Sequence, residues 1–172
     1  LGRIGAELVR KCRLAFEMKV LAFDPYISQE KAEALGAELS SSLDVILKEA
    51  DFISIHVPLT AETRNLIGSR ELSLMKKTAY IINTSRGGIV DEQALYSTLK
   101  SGGIAGAALD VLVEEPPKAD NPLVQLDNVI ITPHIGATTR EAMARMATSA
   151  AEDVLRALRG ERPRYLVNPE VY

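Results

Sequence analysis

Apolar residues along this chain fall into two alternating patterns. Ile4, Leu8, Cys12 and Phe16 recur every four positions, a helical stripe. "MKVLAF", residues 18–23, is a short apolar run ending at Asp24 and Pro25, and predicts a strand. Residues 28–35 read as a helix closed by Gly36, and residues 43–49 as another, capped by Ser42. "DFISIHVP" predicts a strand stopped by Pro58. Residues 69–75 form a short predicted helix with Ser69 as its cap, followed by the strand "AYIIN". Asp91 is expected to cap a helix through Lys100, ended by Gly102 and Gly103. "IAGAALDV" and "NVIITP" are two further strands, the second stopped by Pro133. Residues 139–158 predict a long helix closed by Gly160, and the tail "ERPRYLVNPEVY" reads as irregular.

The predicted strands are nearly continuous apolar runs. Such strands suit a parallel sheet covered by helices on both faces. Strands alternating with helices point to a doubly wound α/β fold. In that architecture ligands sit beyond the carboxyl ends of the strands. The residues to weigh are therefore Asp24, Pro58, those at 84–88, Asp110 and His134.

Composition narrows the class. A chain of 172 residues can bury a sizeable core. No apolar run approaches the roughly 20 residues of a membrane span, so no membrane partner is expected. "LGRIGAELVRKCR" lacks the apolar region of a signal peptide. A single cysteine, Cys12, cannot form an internal disulfide, which favours a reducing, cytoplasmic setting. The net charge of -3 is spread among both signs, against a nucleic-acid binder. Two histidines, His56 and His134, rule out His-rich metal sites, and no metal is expected.

Four stretches carry candidate chemistry. In "LGRIG", Gly2 and Gly5 match the second and third glycines of a dinucleotide fingerprint. Such glycines let backbone approach a pyrophosphate and let the helix pack closely. Asp24, about 20 residues on, can accept both ribose hydroxyls and repel a 2'-phosphate; alternatively, it only opens a turn with Pro25. In "NTSRGGIVD", Arg86 offers a planar fork for a carboxylate beside Gly87 and Gly88. A surface arginine in a glycine turn is the equal alternative. In "ALDVLVEEPP", Asp110 ends a strand and can accept from an amide, while Glu114 and Glu115 read equally as a solvated acidic loop. In "TPHIGATT", His134 can shuttle a proton near neutral pH or serve only as a loop residue. His56 lies inside a strand pattern, and its side chain is expected to be structural.

Taken together, "LGRIG", "FDP", "HVPLT", "NTSRGGIVDEQAL", "GAALDVLVEEP" and "NVIITPHIGA" resemble the D-isomer-specific 2-hydroxyacid dehydrogenases, in the family's order. Phosphoglycerate dehydrogenase and the glyoxylate or hydroxypyruvate reductases are the members most similar in character. The resemblance implies a Rossmann NAD-binding domain over residues 1–137, with residues 138–172 leading back to a substrate domain. It implies NAD as cofactor, a small 2-hydroxy or 2-keto acid as substrate, and a homodimer. Arg86, Glu115 and His134 would be catalytic: carboxylate clamp, histidine partner and general acid/base. Gly2, Arg3, Ile4, Gly5 and Asp24 would hold the pyrophosphate and adenosine ribose. Pro58 and Thr63 would line the cleft. Thr84, Ser85, Arg86, Asp110, His134, Gly136 and Ala137 would surround the nicotinamide.

Relatives carry a substrate domain and a first strand that these residues do not include. The 172 residues alone are therefore expected to bind NAD poorly and turn over little. Relatives often have glycine where Glu17 stands in "FEM". An NADH-binding scaffold resembling the C-terminal-binding-protein corepressors is the alternative reading. Formate dehydrogenases differ in placing glutamine beside the histidine, where Glu115 stands here.

Overall fold

In the computed structural model, which describes residues 1–172, all six strands pair in parallel but form two sheets. The elements run α1 (Arg3–Phe16), β1 (Leu21–Ala22), α2 (Gln29–Leu35), β2 (Glu38–Leu39), α3 (Leu43–Glu49) and β3 (Phe52–Ile55). They continue α4 (Ser69–Leu74), β4 (Tyr80–Asn83), α5 (Glu92–Lys100), β5 (Gly106–Leu109), β6 (Val129–Ile131) and α6 (Arg140–Leu158). Strands β1 and β2 pair with each other, and β3, β4, β5 and β6 lie in that order in the second sheet. Phe52, Tyr80 and Gly106 stand in register, so the carboxyl ends of β3, β4 and β5 fall on one edge.

Local signals set most boundaries. Ser28, Ser42, Asp91 and Thr139 each accept a backbone N–H in the first turn of the following helix, as expected of caps. Helix α4 differs. Its cap is Gly68, not Ser69, and Glu71 Oε2 reaches back 3.0 Å to the Gly68 N–H. Glu17 closes α1 with φ 52, the left-handed conformation that glycine adopts most easily.

Two expectations change. The stripe Ile4, Leu8, Cys12 and Phe16 is not the buried face of α1: Gly5 and Val9 are, while Ile4 and Phe16 are exposed. A spacing of four residues overshoots the 3.6-residue turn by roughly 40° per step, so its ends swing off any one face. The strand expected over residues 18–23 pairs only at Leu21–Ala22. Its partner β2 is only two residues long, too short for a periodicity to register.

The chain divides into two compact units, Leu1–His134 and Ile135–Tyr172. In the first, a large core gathers Leu47 of α3, Leu72 of α4, Leu95 of α5 and Ile81 of β4, all fully buried. Burying each such side chain stabilises by about 1.5–3 kcal/mol. A small cluster of Val9, Ala22 and Ala37 serves the β1 and β2 sheet. The other face of β3 and β4 begins with Phe52 and Tyr80, whose exposed rings stack at 5.6 Å. The second unit is α6 and its tail, in which Asp153 accepts from the N–H groups of Arg164 and Tyr165. None of the α6 residues is buried. No helix is long and apolar enough to cross a membrane.

Candidate active site

Asn83 ends β4 with only 2% of its surface exposed, and organises the turn that follows. Its carboxamide donates to the Arg86 carbonyl at 2.9 Å and accepts from the Ser85 N–H at 3.0 Å. The Ser85 hydroxyl donates to the Ile55 carbonyl at 2.6 Å, tying the turn to β3. Gly88 takes φ 79, which favours glycine. Arg86 itself is exposed, its guanidinium folded back on the Ser85 carbonyl at 2.6 Å. It makes no ion pair with any carboxylate of the chain, so the cost of a buried unpaired arginine does not arise.

The turn meets a second segment. A Cβ on Gly87 would lie 2.0 Å from the Leu112 carbonyl oxygen and 2.6 Å from Val113 N, so glycine lets the two backbones touch. Glu115, three residues beyond Leu112, is held at both oxygens. Oε1 accepts from the Leu112 N–H at 2.9 Å, and Oε2 lies 2.8 Å from His134 Nδ1. The His134 hydrogen bond, then the Leu112 N–H, hold the Glu115 carboxyl below its ordinary value. An ionised carboxylate only accepts, so the proton between the two groups belongs to Nδ1. That leaves His134 Nε2 as the basic nitrogen.

His134 has φ 53, unusual for a residue with a Cβ. Its N–H donates to the carbonyls of Asp110 at 2.9 Å and Thr132 at 3.0 Å. Asp110 is buried after β5, and Thr132 Oγ1 donates to its Oδ1 at 2.5 Å. Asp110, Glu115, Thr132 and His134 line one pocket of about 480 Å³ with Leu112 and Ile131. The other large concavity, about 520 Å³, lies beside Arg13, Lys19 and Gly36, away from these groups.

The depressed Glu115 pKa has a signed consequence. Its contribution to stability is present above the ordinary value of 4.5 and is lost as pH falls through the lower folded value. Urea midpoints of the parent and Glu115→Gln are expected to converge between about pH 5 and pH 3. A gap that stays constant over that range would contradict the pairing.

Gly2 precedes α1, whose N-terminus has no side-chain cap and no acidic residue in its first turn. A Cβ on Gly2 would meet nothing within 4 Å. Arg3 and Ile4 are exposed there. A Cβ on Gly5 would meet the His56 side chain at an ordinary 3.7 Å. His56 also holds the Ser54 hydroxyl at 2.9 Å, and burial, then the nearby Leu1 ammonium, push its pKa down. Asp24 follows β1 and accepts from the Leu1 ammonium and, at 2.9 Å, from the Tyr26 N–H. Burial pushes the Asp24 carboxyl up, but these hydrogen bonds outweigh it and the net shift is downward. Pro58 and Thr63 share one turn, with Thr63 Oγ1 donating to the Pro58 carbonyl at 2.6 Å. Thr84 is exposed beside Ser85.

An open, uncapped helix N-terminus suits an anionic pyrophosphate, and a carboxylate one strand away suits ribose hydroxyls. The residues present therefore fit a dinucleotide.

A profile of the family described as D-isomer specific 2-hydroxyacid dehydrogenase, NAD binding domain, matches residues 1–136. The chain belongs to this family. D-3-phosphoglycerate dehydrogenase of Methanocaldococcus jannaschii is 52% identical over 168 residues, 98% of this chain and 32% of that protein. Glyoxylate reductase of Korarchaeum cryptofilum is 46% identical over 171 residues, 99% of this chain and 51% of that protein. The chain thus spans between a third and a half of the relatives it matches. The D-lactate dehydrogenase of Lactobacillus jensenii, solved with NAD+, superposes with a TM-score of 0.86 at 34% identity, covering 97% of this chain and 53% of that one.

Within this dehydrogenase domain, Glu115 and His134 are brought together, and Asp110 lies beside them. Arg86 is joined to them through Gly87 and Leu112. Gly136 and Ala137 fall in the second unit. Sequence reading missed Asn83, Thr132 and Glu92, whose Oε1 accepts from the Val113 N–H at 2.6 Å. The available signal was a polar residue ending each buried run, in "IIN" and "IIT".

Proposed function

We propose that this chain is the cofactor-binding part of an NAD-dependent dehydrogenase that interconverts a D-2-hydroxy acid and its 2-keto acid. The 2.8 Å contact between Glu115 Oε2 and His134 Nδ1 carries the reading, because it leaves Nε2 free to exchange a substrate proton. Bound NAD supplies the hydride acceptor, and NADH the donor. Arg86, free of internal ion pairs, binds the substrate carboxylate through its fork. It also faces the charge that grows on the reacting oxygen during reduction. His134 takes the hydroxyl proton in oxidation and returns it in reduction. Glu115 orients the ring through the Nδ1 contact. Gly2, Arg3, Ile4 and Gly5 present the α1 N-terminus to pyrophosphate, and Asp24 holds the adenosine ribose. Pro58, Thr63, Thr84, Ser85 and Asp110 complete the cofactor cleft. The exposed apolar residues of α6, Met143 and Met146 among them, support a homodimer. The free Cys12 suits the cytoplasm.

The test is NADH oxidation by the complete protein with glyoxylate, hydroxypyruvate and phosphohydroxypyruvate. One of these should turn over with NADH, and NADPH should serve at least about tenfold less well because Asp24 repels a 2'-phosphate. NADH binding with no turnover of any 2-keto acid would instead favour the scaffold.

A further inference from the structure

The backbone at Leu112 and Val113 is gripped from three sides. Its carbonyl side lies flush on Gly87, where a Cβ would sit 2.2 Å from Leu112 C. The Leu112 N–H is taken by Glu115 Oε1 at 2.9 Å. The Val113 N–H is taken by Glu92 Oε1 at 2.6 Å. Only the last grip comes from a helix. Glu92 is the first residue of α5, which Asp91 caps and which is anchored in the core by fully buried Leu95 and by Leu99. A charge-assisted bond from so rigid a base fixes the height of the segment. Without it, the exposed Val113 would have no helix-borne anchor, and the acidic stretch beyond it would rest on the Glu115–His134 contact, on bonds within the segment and on packing against Gly87.

We propose that Glu92 is a positioning residue. It clamps the backbone at Val113, so that Glu115 arrives at His134 in register with the Arg86 turn. The inference rests on the reading of Glu115 and His134 as the proton-handling pair. Glu92 touches neither cofactor nor substrate in this role, and acts only through the backbone it holds. Helix α5 thereby links the two halves of the site. Its capped N-terminus follows the glycine turn that carries Arg86, and its first side chain fixes the segment that carries Glu115.

Two substitutions separate the clamp from a helix-charge effect. Glu92→Gln keeps the acceptor oxygen at its reach and loses the charge. Glu92→Asp keeps the charge at the helix N-terminus and falls one methylene short of Val113. The Glu115 side-chain carboxyl is followed by carbon NMR titration in the full chain. Glu92→Gln should titrate like the parent, and Glu92→Asp should move Glu115 back up toward its ordinary value of 4.5. In the complete enzyme, Glu92→Asp should lower kcat about tenfold with little change in KM for NADH, and Glu92→Gln should restore it. Equal behaviour of the two variants, or a Glu115 titration unmoved in both, overturns the clamp. The titration reads the clamp even if the protein proves inert with every 2-keto acid, so failure of the enzymatic reading remains distinguishable.

Discussion

Gly87→Ala is expected to destabilise the chain by about 3 kcal/mol and to damage both segments of the site at once. The added methyl would lie 2.0 Å from the Leu112 oxygen and 2.2 Å from its carbonyl carbon. Both obstacles are backbone, so no side-chain rotation relieves them. Either the Arg86 turn lifts, breaking its bonds to Asn83, or the segment leading to Glu115 recedes, loosening the grip of Glu92. Gly102→Ala is the useful comparison. Gly102 has φ 69 but open space around it, so its substitution costs only the backbone preference, about 1 kcal/mol. Urea midpoints of the two variants should therefore differ clearly. Equal midpoints would mean that the contact between the two backbones is slack.

His134→Ala should lower kcat of the complete enzyme by about 10²–10⁴-fold, with NADH affinity nearly unchanged. The imidazole is the one group in the pocket with a proton-exchanging nitrogen left free by its partner. Its backbone, at φ 53, is held independently by the carbonyls of Asp110 and Thr132. The truncation should therefore remove the ring without collapsing the loop. His134→Asn tolerates the left-handed backbone even better and should be equally inactive. Turnover within about threefold of the parent in either variant would remove His134 from the acid/base role.

Much of the fold was legible because its cues are local. A serine, threonine or aspartate ahead of an apolar period marks a helix start, and the caps Ser42 and Asp91 stand where the sequence places them. The parallel arrangement followed from continuous apolar strands separated by helices. What the sequence could not carry was distance. Glu92 and Val113 are 21 positions apart, and no residue-type pattern announces that a helix-start carboxylate will reach a loop amide. Gly87 looked like turn chemistry beside Gly88, yet the two differ. Gly88 is required by its dihedral, whereas Gly87 is required by a neighbour that only folding brings near. Arg86 read equally as a carboxylate fork and as a surface arginine in a glycine turn. It proves exposed because Asn83, one turn earlier, absorbs the strand-end polarity instead.

The two clusters of buried side chains differ greatly in size, and this bears on how the domain breathes. Eighteen buried residues knit the core beneath β3 to β6, while the β1 and β2 sheet has three, Val9, Ala22 and Ala37, with Leu1 and Val20 packed against them. Local opening free energy follows buried apolar contact, so amide protons around Asp24 are expected to exchange faster than those of the large core. On the proposed reading, a dinucleotide held at Gly2 and Asp24 would add its binding free energy to this smaller cluster.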